Sequence, residues 1–254
     1  MDGGFNYKIE KHSFFVSYQV QRGDNGSTKV GDIQGYSNID EDNFSQLNEA
    51  FYQYQGQGWF SRVGKTDANS EFAVADNALG FINSSMGVSP TLVGLPTYPH
   101  PALSAIVGLD VNAKSKLVSG IFAAQDSDNF AQQFYITELR YQFNQQGKIK
   151  LGLWHDTNQR SLLSDKNNVK DGSSGYYLVL QQNLKSLNWL NSTSTHLYSQ
   201  FAYADQKTSE IEWHFGAGIE LANPFEQQNH NLGLGLSYVK LSPLLAPKPA
   251  VKQQ

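Results

Sequence analysis

The stretch Phe134–Trp154, FYITELRYQFNQQGKIKLGLW, consists of two alternating runs joined by a turn. In the first run Tyr135, Thr137, Leu139, Tyr141 and Phe143 alternate with Phe134, Ile136, Glu138, Arg140 and Gln142. In the second, Ile149, Leu151 and Leu153 alternate with Lys148, Lys150, Gly152 and Trp154. A period of two places one set of side chains on each face of a strand. Asn144-Gln145-Gln146-Gly147 is a hairpin signal, so the two strands are expected to pair antiparallel.

The same rhythm continues in both directions. Ile211–Leu221 alternates in the same way, and further runs cover Phe14–Val20, Leu47–Tyr54, Trp59–Lys65, Leu103–Val111, Lys116–Ala124, Tyr176–Leu184, Leu197–Tyr203 and Leu232–Tyr238. Together they predict an all-β chain of about eleven strands. Short turn signals alternate with longer polar links, notably Asp24–Asn43 and Asp156–Ser174. Outer-membrane barrels have this asymmetry, with short turns at one rim and long loops at the other.

Strand length and face chemistry separate the two architectures that fit. Several runs reach the ~9 to 11 residues that a tilted strand needs to cross a bilayer, against ~5 to 6 in soluble sheets. The apolar face of the clearest strands carries no Asp, Glu, Lys or Arg, and in Tyr135–Phe143 the aromatics cluster toward the strand ends around Leu139. Lipid and an interfacial girdle require that pattern. The opposite face holds Glu138, Arg140, Lys148, Lys150, Trp154, Glu212 and His214, a mixture that suits a water-filled lumen. A soluble all-β carbohydrate-binding or glycan-cleaving domain is the competing reading, and native solubility without detergent separates the two.

Composition excludes several other classes. Of 254 residues, 17% are charged and 13% aromatic, and the net charge of −4 comes with no basic tract, which argues against nucleic acid as a partner. The absence of cysteine removes disulfides and cysteine-based metal sites. Histidine spacing gives no zinc motif, no G-x-S-x-G is present, and no cofactor or metal is expected. Glu210 and Glu212 share one strand face, so they would sit beside a glycosidic bond rather than flank it. Asp126-Ser127-Asp128-Asn129 lacks the Gly and final Glu of a calcium loop and reads as a polar turn.

One segment breaks the alternation. Between the Trp59–Lys65 strand and Leu103 lie RVGKTDANSEFA (62–73), FINSSMGVSPT (81–91) and PTYPHPAL (96–103), preceded upstream by VGDIQGYSNID (30–40). This ordered series resembles the carbohydrate-selective porins of the OprB type. GIFAAQDSD (120–128), KIKLGLWHDT (148–157) and the Gly-rich strand near Leu232 extend the likeness over most of the chain. The resemblance implies an antiparallel transmembrane β-barrel of porin type in the bacterial outer membrane, with about sixteen strands. It also implies passive diffusion of a monosaccharide such as glucose, with lipid and carbohydrate solutes as partners and no enzymatic step. Residues 1–242 are expected to form one barrel unit and 243–254 a Pro-containing tail. With about eleven strands visible, no export signal and no aromatic residue at Gln254, the expectation is a barrel truncated at both ends. Porins are often trimers, but no apolar patch distinguishes a subunit contact from a lipid contact, which leaves a homo-oligomer open.

In such a pore the loop at 64–100 is expected to fold inward and narrow the lumen. Asp67, Asn69, Glu71 and Asn83 can exchange hydrogen bonds with sugar hydroxyls. Arg62 and Lys65 can balance the carboxylates, Glu49 is expected beside Arg62, and Phe60 and Trp154 are placed to stack on sugar rings. The competing role for each charged residue is a structural network that holds the loop to the wall. Phe72, Leu79, Phe81 and Ile82 are expected to anchor the loop by burial, and Pro96, Pro99 and Pro101 to stiffen its return.

Overall fold

The computed structural model describes residues 2–124, 130–185 and 189–245. The Asp126–Asn129 turn and most of the tail lie outside the described residues. Twelve strands follow one another as β1 (Asp2–Ile9), β2 (His12–Gln21), β3 (Phe44–Gln55), β4 (Trp59–Thr66), β5 (Ala102–Asn112), β6 (Ser115–Ala123), β7 (Gln133–Asn144), β8 (Gly147–Ser161), β9 (Val169–Lys185), β10 (Ser194–Ala204), β11 (Ile211–Ala222) and β12 (Asn231–Leu241). They form a single antiparallel sheet in sequence order, so every neighbour in the sheet is a neighbour in the chain. Among the described residues β1 and β12 each have one strand partner, and the sheet is an open wall rather than a closed ring.

One expectation is met closely and another needs correction. The twelve strands agree with the expected count of about eleven, and the additional one is β1, where Gly3 and Gly4 mask the alternation of Phe5, Tyr7 and Ile9. The Asp156–Ser174 link is mostly strand. β8 and β9 run to 15 and 17 residues, beyond the ~9 to 11 needed to cross a bilayer. Their far ends are polar because they project past the apolar belt, and an irregularity between Asp156 and Gln159 marks the change.

Connections at 10–11, 56–58, 113–114 and 145–146 define a short-turn rim, with the 22–43 and 67–101 loops at the other rim. The contrast weakens toward the C-terminus, where 189–193 and 223–230 lie at the short-turn rim.

The register explains the two faces. Trp59, Leu109, Leu117, Leu139, Leu151, Leu178, Phe201, Phe215 and Tyr238 stand directly opposite one another on successive strands and form one apolar row across nine strands. All but Leu117 are exposed. Contiguous apolar surface on this scale marks an interaction with another apolar phase. Outward aromatics gather at both ends of the strands, with Tyr52, Tyr54 and Trp59 toward the short-turn rim and Tyr176, Tyr203 and Trp213 toward the other. Such belts sit at membrane interfaces.

Polarity on the concave face is the reverse of a soluble protein's. Glu138 and His214 are fully buried there, and Lys150, Gln181, Gln200 and Glu212 nearly so. The apolar core also lies on this side, where loop residues Ala68, Phe72, Ala75, Ala78, Leu92 and Leu95 cover Ile106, Val118, Phe122, Phe134, Ile136 and Trp154. The inner face is therefore not uniformly polar, and its apolar part lies beneath the loop. Two glycines permit close approaches. Gly64 has φ 137° and lies against the Ala50 carbonyl and Phe51, and Gly152 lies beneath the Tyr177 ring, in space a Cβ would fill.

Candidate functional site

The segment 67–101 crosses the concave face and is tied to strand after strand. At its start, the Asp67 carboxylate accepts from Asn69 N–H (2.7 Å), Thr97 Oγ1 (2.6 Å) and Tyr98 N–H (2.9 Å), clipping the two ends of the loop together. Burial raises the Asp67 pKa in spite of these bonds. Glu49 accepts from the Asp67 N–H at 3.0 Å. Arg62 turns instead to Gln53 (2.9 Å) and Glu71 (3.3 Å), so the expected Glu49–Arg62 pair does not form. The Lys65 ammonium donates to the Leu47 carbonyl.

Glu71 is the hub of the next contact. Arg140 Nη1 meets it at 2.8 Å, while Arg140 Nε reaches Glu138 at 2.6 Å. Glu138 also accepts from the Tyr177 hydroxyl (2.6 Å) and from the N–H of Ala73 (2.9 Å), which itself has a positive φ of 64°. One buried carboxylate thus joins the loop backbone, β7 and β9. Charge-assisted bonds of this kind are about twice as strong as neutral ones.

Asp76 takes the following position. Lys148 approaches it at 2.6 Å and Lys150 at 3.0 Å, Gln181 donates at 3.0 Å, and Lys150 also donates to the Val74 carbonyl at 2.7 Å. Burial works against the charge, but the positive charge of Lys150 and the bonds from Lys148, Gln181 and Lys150 outweigh it. The Asp76 carboxyl is held well below the usual range. Asn77 then bonds to Gln181, Asn183 and the Leu197 carbonyl.

Farther along, α1 (Ser84–Gly87) is capped by Asn83, which accepts from Ser85 N–H. Gln200 donates to the carbonyls of Ser85 and Met86. His214 lies between Ser89 and Ser237, and Ser237 donates to Gln34 of the 22–43 loop. The loop therefore meets β7 through β12 in turn, which requires the wall to curve around it.

Two cavities remain, one on each side of this contact line. A cavity of about 750 Å³ is lined by Asn69, Glu71, Asp76, Leu79 and Lys150, among others. A second, of about 650 Å³ at the short-turn rim, is lined by Asn77, Arg140, Lys148 and Gln181 with residues of the adjacent turns. The Glu71–Arg140 and Asp76–Lys148 pairs join the two linings.

The residues expected at the site fall into two groups. Asn69, Glu71, Arg140, Lys148 and Lys150 border open space, and Asn69 Oδ1 has no partner among the described residues. Asp67, Asn83, Glu138 and His214 are occupied by internal bonds, Glu212 pairs with Lys240, and Trp154 is buried flat against Phe134. Phe60 is buried with the Arg62 guanidinium 5.9 Å from its ring centre. Neither aromatic presents a free ring face. Among the anchors, Phe72 is buried and Phe81 partly so, but Leu79 and Ile82 are 61% and 65% exposed and do not act as anchors. The sequence reading left Asp76, Gln181, Tyr177 and Gln200 out of the site.

The pH dependence of the Asp76 tie follows from the direction of its shift. A depressed carboxyl stabilises the fold fully above its ordinary pKa of ~3.9 and loses that contribution only as pH falls through the lower folded value. Lowering the pH from 7 to 4 is therefore expected to leave the loop fastened. Asp76 is partly exposed, so Asp76→Asn is expected to cost no more than about 1 kcal/mol but to leave Lys148 and Lys150 without their carboxylate, Lys150 keeping the Val74 carbonyl. Channel recordings check this: the difference between variant and parent conductance should be equal at pH 7 and pH 4.

A continuous antiparallel wall, apolar outside and charged inside, with a loop laid across its concave face, defines a porin-type fold. The chain belongs to the carbohydrate-selective porin (OprB) family, whose model matches residues 8–246. Among solved structures it is similar to Pseudomonas putida OprB at high pH, with 14% identity, a TM-score of 0.77 and coverage of 92% of this chain and 65% of that one. The low-pH structure of the same protein gives 10% identity, a TM-score of 0.55 and coverage of 94% and 68%. The chain thus spans about two thirds of the length of that porin. The comparison with curated proteins gave no match.

Proposed function

We propose that this chain forms the wall and constriction of a passive outer-membrane channel for carbohydrates, performing no chemical step. Membership of the carbohydrate-selective porin family supports a channel rather than an enzyme. The observation that carries the reading is the inverted polarity: an exposed apolar row outside and buried Glu138, Lys150 and His214 inside. Lipid tolerates the first, and only a protein-lined interior tolerates the second.

In this reading Glu71, Arg140, Asn69 and Lys150 border the narrow step between the cavities and exchange hydrogen bonds with sugar hydroxyls, while Arg62 stands behind Glu71. Binding at such a step must stay weak enough to release the solute. Asp67, Glu138, Asn83 and His214 hold the loop in place, and residues to 242 act as one unit.

Liposome swelling tests this. Vesicles containing the folded protein are expected to admit glucose faster than an uncharged non-sugar of equal size. Glu71→Gln should reduce that difference by removing one partner of Arg62 and Arg140. Equal rates for the two solutes would remove the claim of sugar selectivity, and no swelling above empty vesicles would remove the channel.

A further inference from the structure

The register places three cations side by side on the inner wall. Lys116 on β6 lies opposite Arg140 on β7, and Arg140 lies opposite Lys150 on β8. Lys148, two residues before Lys150 on the same face, adds a fourth. Like charges directly opposite on paired strands are destabilising, so this row has a cost that an uncharged row would not carry.

The balancing carboxylates are distributed unevenly. Glu71 and Asp76 come from the loop and line the larger cavity, and Glu138 is fully buried. Facing the short-turn cavity are Lys114, Lys116, Arg140 and Lys148, and Asp110 is the one carboxylate in that lining among the described residues. It pairs with Lys116 at 3.2 Å, Glu71 and Asp76 pair with Arg140 and Lys148 from the loop side, and Lys114 has no ion pair among the described residues. This basic surface belongs to a chain whose net charge is −4. Most of the remaining lining is amide, including Asn77, Gln142, Gln181 and Asn183. Amides both donate and accept, as hydroxyls require.

We infer that the cavity at the short-turn rim is a binding station for sugars bearing an acid group, either a sugar carboxylate or a sugar phosphate. Lys114 and Lys116 engage the acid group and the amides engage the hydroxyls. The inference rests on the channel reading and adds a charge preference to it: neutral sugars pass without being held.

Ligand-observed NMR titration of the folded protein in detergent tests the station without requiring an open channel. At low salt, glucuronate or glucose 6-phosphate is expected to bind roughly five-fold or more tightly than glucose. At 1 M salt, where the Debye length is ~3 Å, the gap should close. Lys114→Gln combined with Lys116→Gln should remove the advantage. Asp110→Asn should increase it, a gain that a damaged fold cannot produce. A preference for glucuronate alone identifies a carboxylate station, and one for the phosphate alone a phosphate station. If neither anion binds more tightly than glucose, or if the advantage is unchanged in both variants, the inference is overturned. Failure of vesicle swelling would overturn the channel reading separately.

Discussion

Glu138→Ala is expected to lower the stability of the folded protein by about 3 kcal/mol. The carboxylate is fully buried and receives the Tyr177 hydroxyl, the Ala73 N–H and the Arg140 guanidinium. Its removal leaves a buried donor on the loop backbone, another on β9 and half of the charge compensation of Arg140. Breaking a buried pair costs ~3 to 5 kcal/mol. The lower end applies because Arg140 keeps Glu71 and is one quarter exposed. Glu138→Gln keeps acceptor capacity for Tyr177 and Ala73 and should recover part of the loss. Urea unfolding of the protein refolded into vesicles measures both. A loss under about 1 kcal/mol for Glu138→Ala, the worth of an exposed pair, would mean that this carboxylate does not fasten the loop.

Leu139→Arg should be comparably damaging for the opposite reason. Leu139 lies in the middle of β7, between Leu117 and Leu151 in the outward row. Its neighbour in sequence, Arg140, faces inward and is satisfied there. An arginine at the bilayer midplane on the lipid face of a barrel costs ~2 to 4 kcal/mol, whereas a water-facing surface substitution stays within about 0.5 kcal/mol. Folding into lipid bilayers followed by urea titration separates these outcomes. A change within the smaller range would place Leu139 against water and remove the membrane assignment.

These two adjacent residues also show how much the sequence discloses. Period-two alternation places Leu139 outside and Arg140 inside from local order alone, and the same rule orients most of the outward row. It fails where local order is ambiguous: Gly3 and Gly4 hide β1, and the polar ends of β8 and β9 look like loop because they rise above the apolar belt. The breaks in alternation around 64–100 mark the inward segment. The partners of that segment are not legible, because each is a long-range contact made by a residue with no local signal. Gln181, Tyr177 and Gln200 are ordinary inner-face residues until Asp76, Glu138 and Met86 meet them. Arg62 is a comparable case. Hairpin proximity suggests Glu49, but the guanidinium turns to Gln53 and Glu71 while Glu49 caps the start of the loop. Leu79 and Ile82 are apolar by sequence but exposed because the loop turns their side of the chain toward open space.

The central claim, an inside-out wall around an aqueous path, has a direct test because the natural chain contains no cysteine. Leu139→Cys and Leu151→Cys sample the outward row, and Lys148→Cys and Glu71→Cys sample the cavities. In vesicles, a membrane-impermeant thiol reagent is expected to modify the Lys148→Cys and Glu71→Cys variants and slow glucose entry, leaving the outward pair unmodified. A fluorophore attached to the outward pair before refolding should be quenched by brominated lipid. Aqueous labelling of the Leu139→Cys and Leu151→Cys variants, with the other two protected, would contradict the account.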